Sequence, residues 1–183
     1  MAFILRGFEL MPILQQDDHL TFLAVDTISD WDELLAICGG HLQYSALNQL
    51  RHALQGRCRT IVVEHRYVCK DYRDTYTNWY AKKFATYPDK CSRLLFFRDS
   101  ISGEHWWNVP SYAESFIGYS VIRPTRITCI GRTILDPEHC SGVQGYMCVQ
   151  EYRANLLGER LTVKGLPHIT QDTDVTVCAH AAC

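Results

Sequence analysis

Two spacings of apolar residues divide this chain. Between Tyr44 and Leu54, Leu47, Leu50 and Leu54 recur at three- and four-residue steps, the spacing of one helical face, and Gly56 follows as a stop. A shorter helix is expected over Trp31–Cys38. Ser29 or Asp30 serves as its N-cap, acidic Asp32 and Glu33 occupy its first turn, and Gly39-Gly40 end it. Asp71–Phe84 predicts a third, amphipathic helix. Its stripe of Tyr72, Tyr76, Trp79, Tyr80 and Phe84 lies opposite Asp74, Lys82 and Lys83. Leu20–Val25, Thr60–Val63 and Ser92–Phe97 are short apolar runs and read as strands, whereas residues 99–113 read as loop.

Further along, two segments echo each other. Gly118-Tyr119-Ser120-Val121-Ile122-Arg123-Pro124 and Gly131-Arg132-Thr133-Ile134-Leu135-Asp136-Pro137 repeat one order of small, hydroxyl, aliphatic and charged residues, 13 positions apart. Each predicts a strand stopped by its proline, which has no N–H to give a ladder. Val143–Tyr152 is a further strand candidate with Gly145 as a bulge. Arg153–Leu157 reads as a helical turn, and Leu161–Val163 as extended chain. Helices come early and strands cluster late, so the expected class is α+β, with N-terminal helices packed on a mainly antiparallel sheet.

Composition narrows the function classes. At 183 residues with 47% hydrophobic and 21% charged positions, the chain buries a core without staples. A net charge of −2 and a pI of about 6.4 give no basic footprint for nucleic acid. No apolar run has the length of a membrane span, and the N-terminus, interrupted by Arg6 and Glu9, makes a poor signal peptide. Nine cysteines at irregular spacing fit buried, reduced thiols better than a disulfide framework, which places the protein in the cytoplasm.

The C-terminal tail carries the most specific chemistry. Leu166-Pro167-His168-Ile169-Thr170-Gln171 leads, after six intervening residues, to Cys178-Ala179-His180-Ala181-Ala182. A cysteine in the first turn of a helix gains thiolate character from unpaired backbone N–H groups and the helix dipole. A glutamine amide just upstream is placed to face the oxyanion that forms when such a thiolate attacks a carbonyl. The stretch resembles the opening of the catalytic domain of papain-like cysteine peptidases, in their bacterial branch. The resemblance implies Cys178 as nucleophile and Gln171 as oxyanion donor. It also implies a division into an α+β accessory domain at 1–160 and a truncated papain-like start at 161–183, ending in an incomplete nucleophile-type helix.

In that family the general-base histidine lies far downstream of the cysteine. His180 does not replace it, because two helical residues separate side chains by about 200° around the axis. Without an imidazole partner an ordinary thiol is only a few per cent ionised at pH 7. The chain is therefore expected to be inactive by itself, needing neither cofactor nor metal, and to engage a protein or peptide partner. A complete, non-catalytic interaction module is the alternative. A small acyl-transfer enzyme using an upstream histidine is a third reading.

Other constellations have plainer explanations. His139, Cys140 and Cys148, joined by Cys178, His180 or Cys183, lack the close cysteine pair usual in a zinc site. The aromatic stripe could stack bases beside Arg73, Lys82 and Lys83, but acidic Asp71 and Asp74 favour a core-facing helix. Trp106-Trp107 makes either an exposed recognition loop or a cap on the open end of the sheet, with capping preferred. No phosphate-binding glycine loop, G-x-S-x-G or H-E-x-x-H motif is present.

Overall fold

The apolar runs zip together in the order in which they occur along the chain. In a computed structural model, which describes residues 13–16, 18–101, 105–125, 128–143 and 145–168, six strands form one antiparallel sheet. They are β1 (Ile13–Gln16), β2 (Leu20–Ala24), β3 (Thr60–Tyr67), β4 (Cys91–Phe97), β5 (Phe116–Ile122) and β6 (Ile130–Leu135), in sequential order. Strands β7 (Gln150–Leu156) and β8 (Glu159–Gly165) make a separate hairpin. The α-helices among the described residues are α1 (Ile28–Ile37), α2 (Tyr44–Leu54) and α3 (Lys70–Asn78). The fold is α+β on a mainly antiparallel sheet. No helix among the described residues is long and apolar enough to cross a membrane.

Ile61–Val63 of β3 and Leu94–Phe97 of β4 are unbroken apolar runs because both faces of the sheet are covered there. Leu23, Ile61, Val63, Leu94, Phe96 and Ile117 meet Trp31, Leu34, Leu47, Leu50 and Leu54 of α1 and α2. On the opposite face, Phe22, Val62, Leu95, Phe97, Tyr119 and Val121 meet Tyr72 of α3, Tyr80, and Ala154, Leu156, Leu161 and Val163 of the hairpin. The echoed segments become neighbours, as β5 and β6. Their hydroxyl positions, Ser120 and Thr133, are register partners, and the two hydroxyls hydrogen-bond at 2.7 Å.

Helix α2 occupies the span its leucine spacing predicts, and both α1 and α2 are followed by glycines in the left-handed region, Gly39 at φ +61° and Gly56 at φ +73°. The N-cap of α1 is Thr27, not Ser29 or Asp30. The Asp30 carboxylate instead reaches back to accept the Thr27 N–H at 2.6 Å, serving as the acidic half of a capping box.

Helix α3 is shorter than its aromatic stripe predicts and gives way to a 3₁₀ turn at Tyr80–Lys82. Its last turns hold residues with side chains that compete for the backbone: Thr75 Oγ1 donates to the Asp71 carbonyl, and Asn78 Nδ2 to the Asp74 carbonyl. Residues 99–113 are not wholly loop, since Val109–Ser111 forms a 3₁₀ turn.

The largest correction lies between 143 and 157. Strand β7 starts at Gln150, not Val143; Gly145 lies before it; and Arg153–Leu156 belongs to the strand and not to a helical turn. Ala154 and Leu156 face inward between exposed Arg153 and Asn155, and the same alternation runs through Leu161 and Val163 of β8. The connecting pair Leu157-Gly158 has positive φ at both positions, +51° and +87°, which is a type I′ hairpin turn. Strand β8 crosses residue 160 in continuous register with β7, and the hairpin is tied to the main sheet by Arg93 Nη2 donating to the Asn155 carbonyl at 2.6 Å.

Candidate functional site

Gln171 and Cys178, together with His180 and Cys183, lie outside the described residues. The described chain leaves β8 at Gly165 and reaches His168, half-buried beside an ion pair that joins α3 to β6. Arg132 grips Asp71 in two-pronged fashion, Nε to Oδ2 at 3.1 Å and Nη2 to Oδ1 at 3.0 Å. Burial, then the positive charge of Arg132, holds the His168 imidazole below the usual 6.5, with Arg123 acting in the same sense and Asp71 opposing. Two variants separate these contributions. In an NMR titration, Arg132→Gln is expected to raise the His168 pKa, because Asp71 is left unopposed, and Asp71→Asn to lower it. Unchanged titrations in both would remove His168 from this ion pair.

The other sequence candidates scatter. His139 lies in a 3₁₀ turn with its Nδ1 3.2 Å from Asp136 Oδ2, Cys140 is half-buried and Cys148 exposed. No group of three or more histidine, cysteine or acidic side chains among the described residues is arranged to hold a metal. The aromatic stripe splits: Tyr72 and Tyr80 are core, whereas Trp79 and Phe84 are exposed. The Lys83 ammonium stands 5.2 Å from the ring centres of Trp79 and Tyr80 and 5.8 Å from that of Tyr87, a cation–π contact within the chain. The tryptophan pair divides as well. Trp106 packs its ring 5.6 Å from that of Phe22 and caps the sheet, while Trp107 is 62% exposed.

What the sequence does not single out is a cleft of about 520 Å³ between the β2–β3 end of the sheet and the tip of the β7–β8 hairpin. His19, Leu20, Glu64, His65, Arg66, Lys90, Leu156 and Leu157 line it. Four chain segments far apart in sequence converge here. Among the described residues only two non-glycine positions have positive φ, Arg66 at +56° and Leu157 at +51°, and both line this cleft. Left-handed backbone at an arginine and a leucine is disfavoured, and such strain concentrates where a side chain must be aimed. Arg66 sits in the irregular register between Glu64 and Tyr67, where β3 departs from its pairing with β4. Leu157 occupies a turn position that asparagine, aspartate or glycine fills at least strain.

The cleft is cationic with an apolar floor. Glu64 pairs with Arg93, whose guanidinium lies 4.4 Å from the Tyr67 ring centre, so the one acidic lining residue is already neutralised. Arg66 supplies positive charge, the Lys90 ammonium adds to it while pairing with Asp89 Oδ2 at 3.4 Å, and His19 and His65 stand beside them. His65 is held in place by its N–H to the His19 carbonyl at 2.7 Å and by its ring Nε2 against Thr21 Oγ1 at 2.8 Å. Leu20, Leu156 and Leu157 provide the apolar surface. Among the described residues, no thiol or hydroxyl group lines the space. The arrangement suits recognition of a carboxylate beside an aliphatic group.

Comparison with protein-family models, curated proteins and solved structures returned no match.

Proposed function

We propose that residues 13–168 form a non-catalytic accessory module that binds an acidic, leucine-bearing segment of a protein or peptide. The module precedes the region whose resemblance to papain-like cysteine peptidases gives Cys178 and Gln171 the roles of nucleophile and oxyanion donor. Binding, not cleavage, is the task of the folded part. The observation that supports this is the convergence of Arg66 and Leu157, both in left-handed backbone, on one cationic, leucine-floored cleft. A protein that needed only stability would place asparagine or glycine at these positions. The setting we propose is the cytoplasm, which the seven free thiols among the described cysteines favour.

Fluorescence anisotropy with labelled hexapeptides tests the reading. Peptides carrying Leu next to Glu are expected to bind saturably, and counterparts with Lys in place of Glu to bind far more weakly. Arg66→Ala removes a charge-assisted hydrogen bond of about 1.5–3 kcal/mol, a loss of roughly tenfold or more in affinity. Leu157→Asn is expected to weaken binding while raising the melting temperature, since asparagine suits the turn. Indifference to the charge of the peptide, or to Arg66→Ala, would contradict the assignment.

A further inference from the structure

A second feature lies at the start of α3 and is distinct from the residues that line the cleft. Cys69 is the N-cap residue of α3, and Cys91 opens β4, where its register partner is Tyr67, two residues before Cys69. The bulge in β3 and the start of α3 thereby bring two cysteines, 22 positions apart in sequence, into one buried cluster. Both are free, and their side chains are within hydrogen-bonding reach of each other.

The environments of the two thiols differ in kind. The Cys91 thiol, donating to the Cys69 sulfur, and the backbone N–H groups of Tyr72 and Asp71 at the helix start bring the Cys69 thiol down to about 6, against burial and the nearby Asp71 carboxylate. Tyr67 and Arg132 are its further ionisable neighbours. Cys91 is pushed up by that same hydrogen bond and by burial, and so stays protonated. Burial pushes Cys38 and Cys58 up to about 12, where they are unreactive at neutral pH.

We propose that Cys69 and Cys91 form a redox-modification site, at which hydrogen peroxide oxidises Cys69 and Cys91 resolves it into a disulfide joining α3 to β4. The Cys69 thiolate attacks one peroxide oxygen, the O–O bond breaks, and the leaving hydroxide takes a proton to become water, leaving Cys69 as a sulfenic acid. Cys91 then attacks the Cys69 sulfur, the S–O bond breaks, and the hydroxide leaves as water with the Cys91 proton. Two thiols lose two electrons, and one peroxide becomes two waters. The hydrogen bond that keeps Cys91 protonated is lost in the first step, which frees it for the second.

The experiment is treatment of the folded chain with hydrogen peroxide, followed by alkylation and peptide mapping. The expected product is one disulfide, Cys69 to Cys91, with a mass loss of about 2 Da that a dithiol reductant reverses. Cys91→Ser is expected to stop at the sulfenic acid, trapped by dimedone on Cys69, and Cys69→Ser to give neither product. Circular dichroism of both variants checks that they are folded. Oxidation that spares the pair in the folded wild type while modifying Cys140 or Cys148 would overturn the proposal. So would equal peroxide consumption by Cys69→Ser.

Discussion

Gly118→Ala is expected to lower the melting temperature by about 5–20 °C, the cost of roughly 2–6 kcal/mol in a chain of this size. Gly118 lies within β5 with φ +142°, a region that L side chains rarely adopt. A methyl group there would stand 2.3 Å from the Ile134 carbonyl oxygen and 2.8 Å from the Leu135 Cα, both backbone of the adjoining strand β6. Neither atom moves without breaking the β5–β6 ladder, so overpacking adds to backbone strain. Gly131 is the internal control, because its added methyl would meet Arg123 Cδ and Cγ and the Val121 carbonyl no closer than 3.2 Å, with ordinary φ. Gly131→Ala should cost less than Gly118→Ala in thermal denaturation followed by circular dichroism. Equal costs would place the β5–β6 register elsewhere.

The second large effect tests the layered core. Phe96 and Phe97 are adjacent in β4, point to opposite faces, and are both fully buried. Phe97 packs edge-on to Tyr112 at 5.3 Å and against Phe116 at 5.5 Å, while Phe96 lies among the residues that meet α1 and α2. In a sheet with one wet face, only one of two neighbouring positions would matter. Here Phe96→Ala and Phe97→Ala are each expected to cost about 3–5 kcal/mol in denaturant unfolding. A cost below about 1 kcal/mol for either would mean that one layer is missing.

Much of this architecture was legible because local signals and tertiary demands agree. The leucine spacing of 44–54 and Gly56 after it mark α2 in full, and the prolines at 124 and 137 stand just beyond β5 and β6. The echo of Gly118–Pro124 in Gly131–Pro137 acquires a physical meaning in the fold, as two paired strands whose hydroxyls bond to each other. The misread segments share one cause, local chemistry at odds with the structure it serves. The hairpin of β7 and β8 was hidden because Leu157-Gly158 lacks the asparagine or aspartate that announces such a turn. The end of α3 was hidden because an aromatic stripe outlasts the helix that Thr75 and Asn78 unravel.

The candidate site was hidden more deeply. Its lining comes from residues 19–20, 64–66, 90 and 156–157, which no sequence window contains. A leucine before a glycine between two alternating apolar runs is the one cue that points there. The cysteine pair is equally non-local, since Cys69 reads as a lone thiol until the β3–β4 register brings Cys91 beside it. Conversely, the tail motif at Gln171 and Cys178 is plain in the sequence and lies outside the described residues.

Heteronuclear NMR titration of the labelled protein with a Leu-Glu hexapeptide tests the binding module most directly. Saturable shifts are expected at the methyl groups of Leu20, Leu156 and Leu157 and at the His19 and His65 rings, all moved together to roughly tenfold or more higher peptide concentration in Arg66→Ala. Shifts confined to exposed Trp79, Phe84 or Trp107, with the cleft methyls unmoved, would contradict the account.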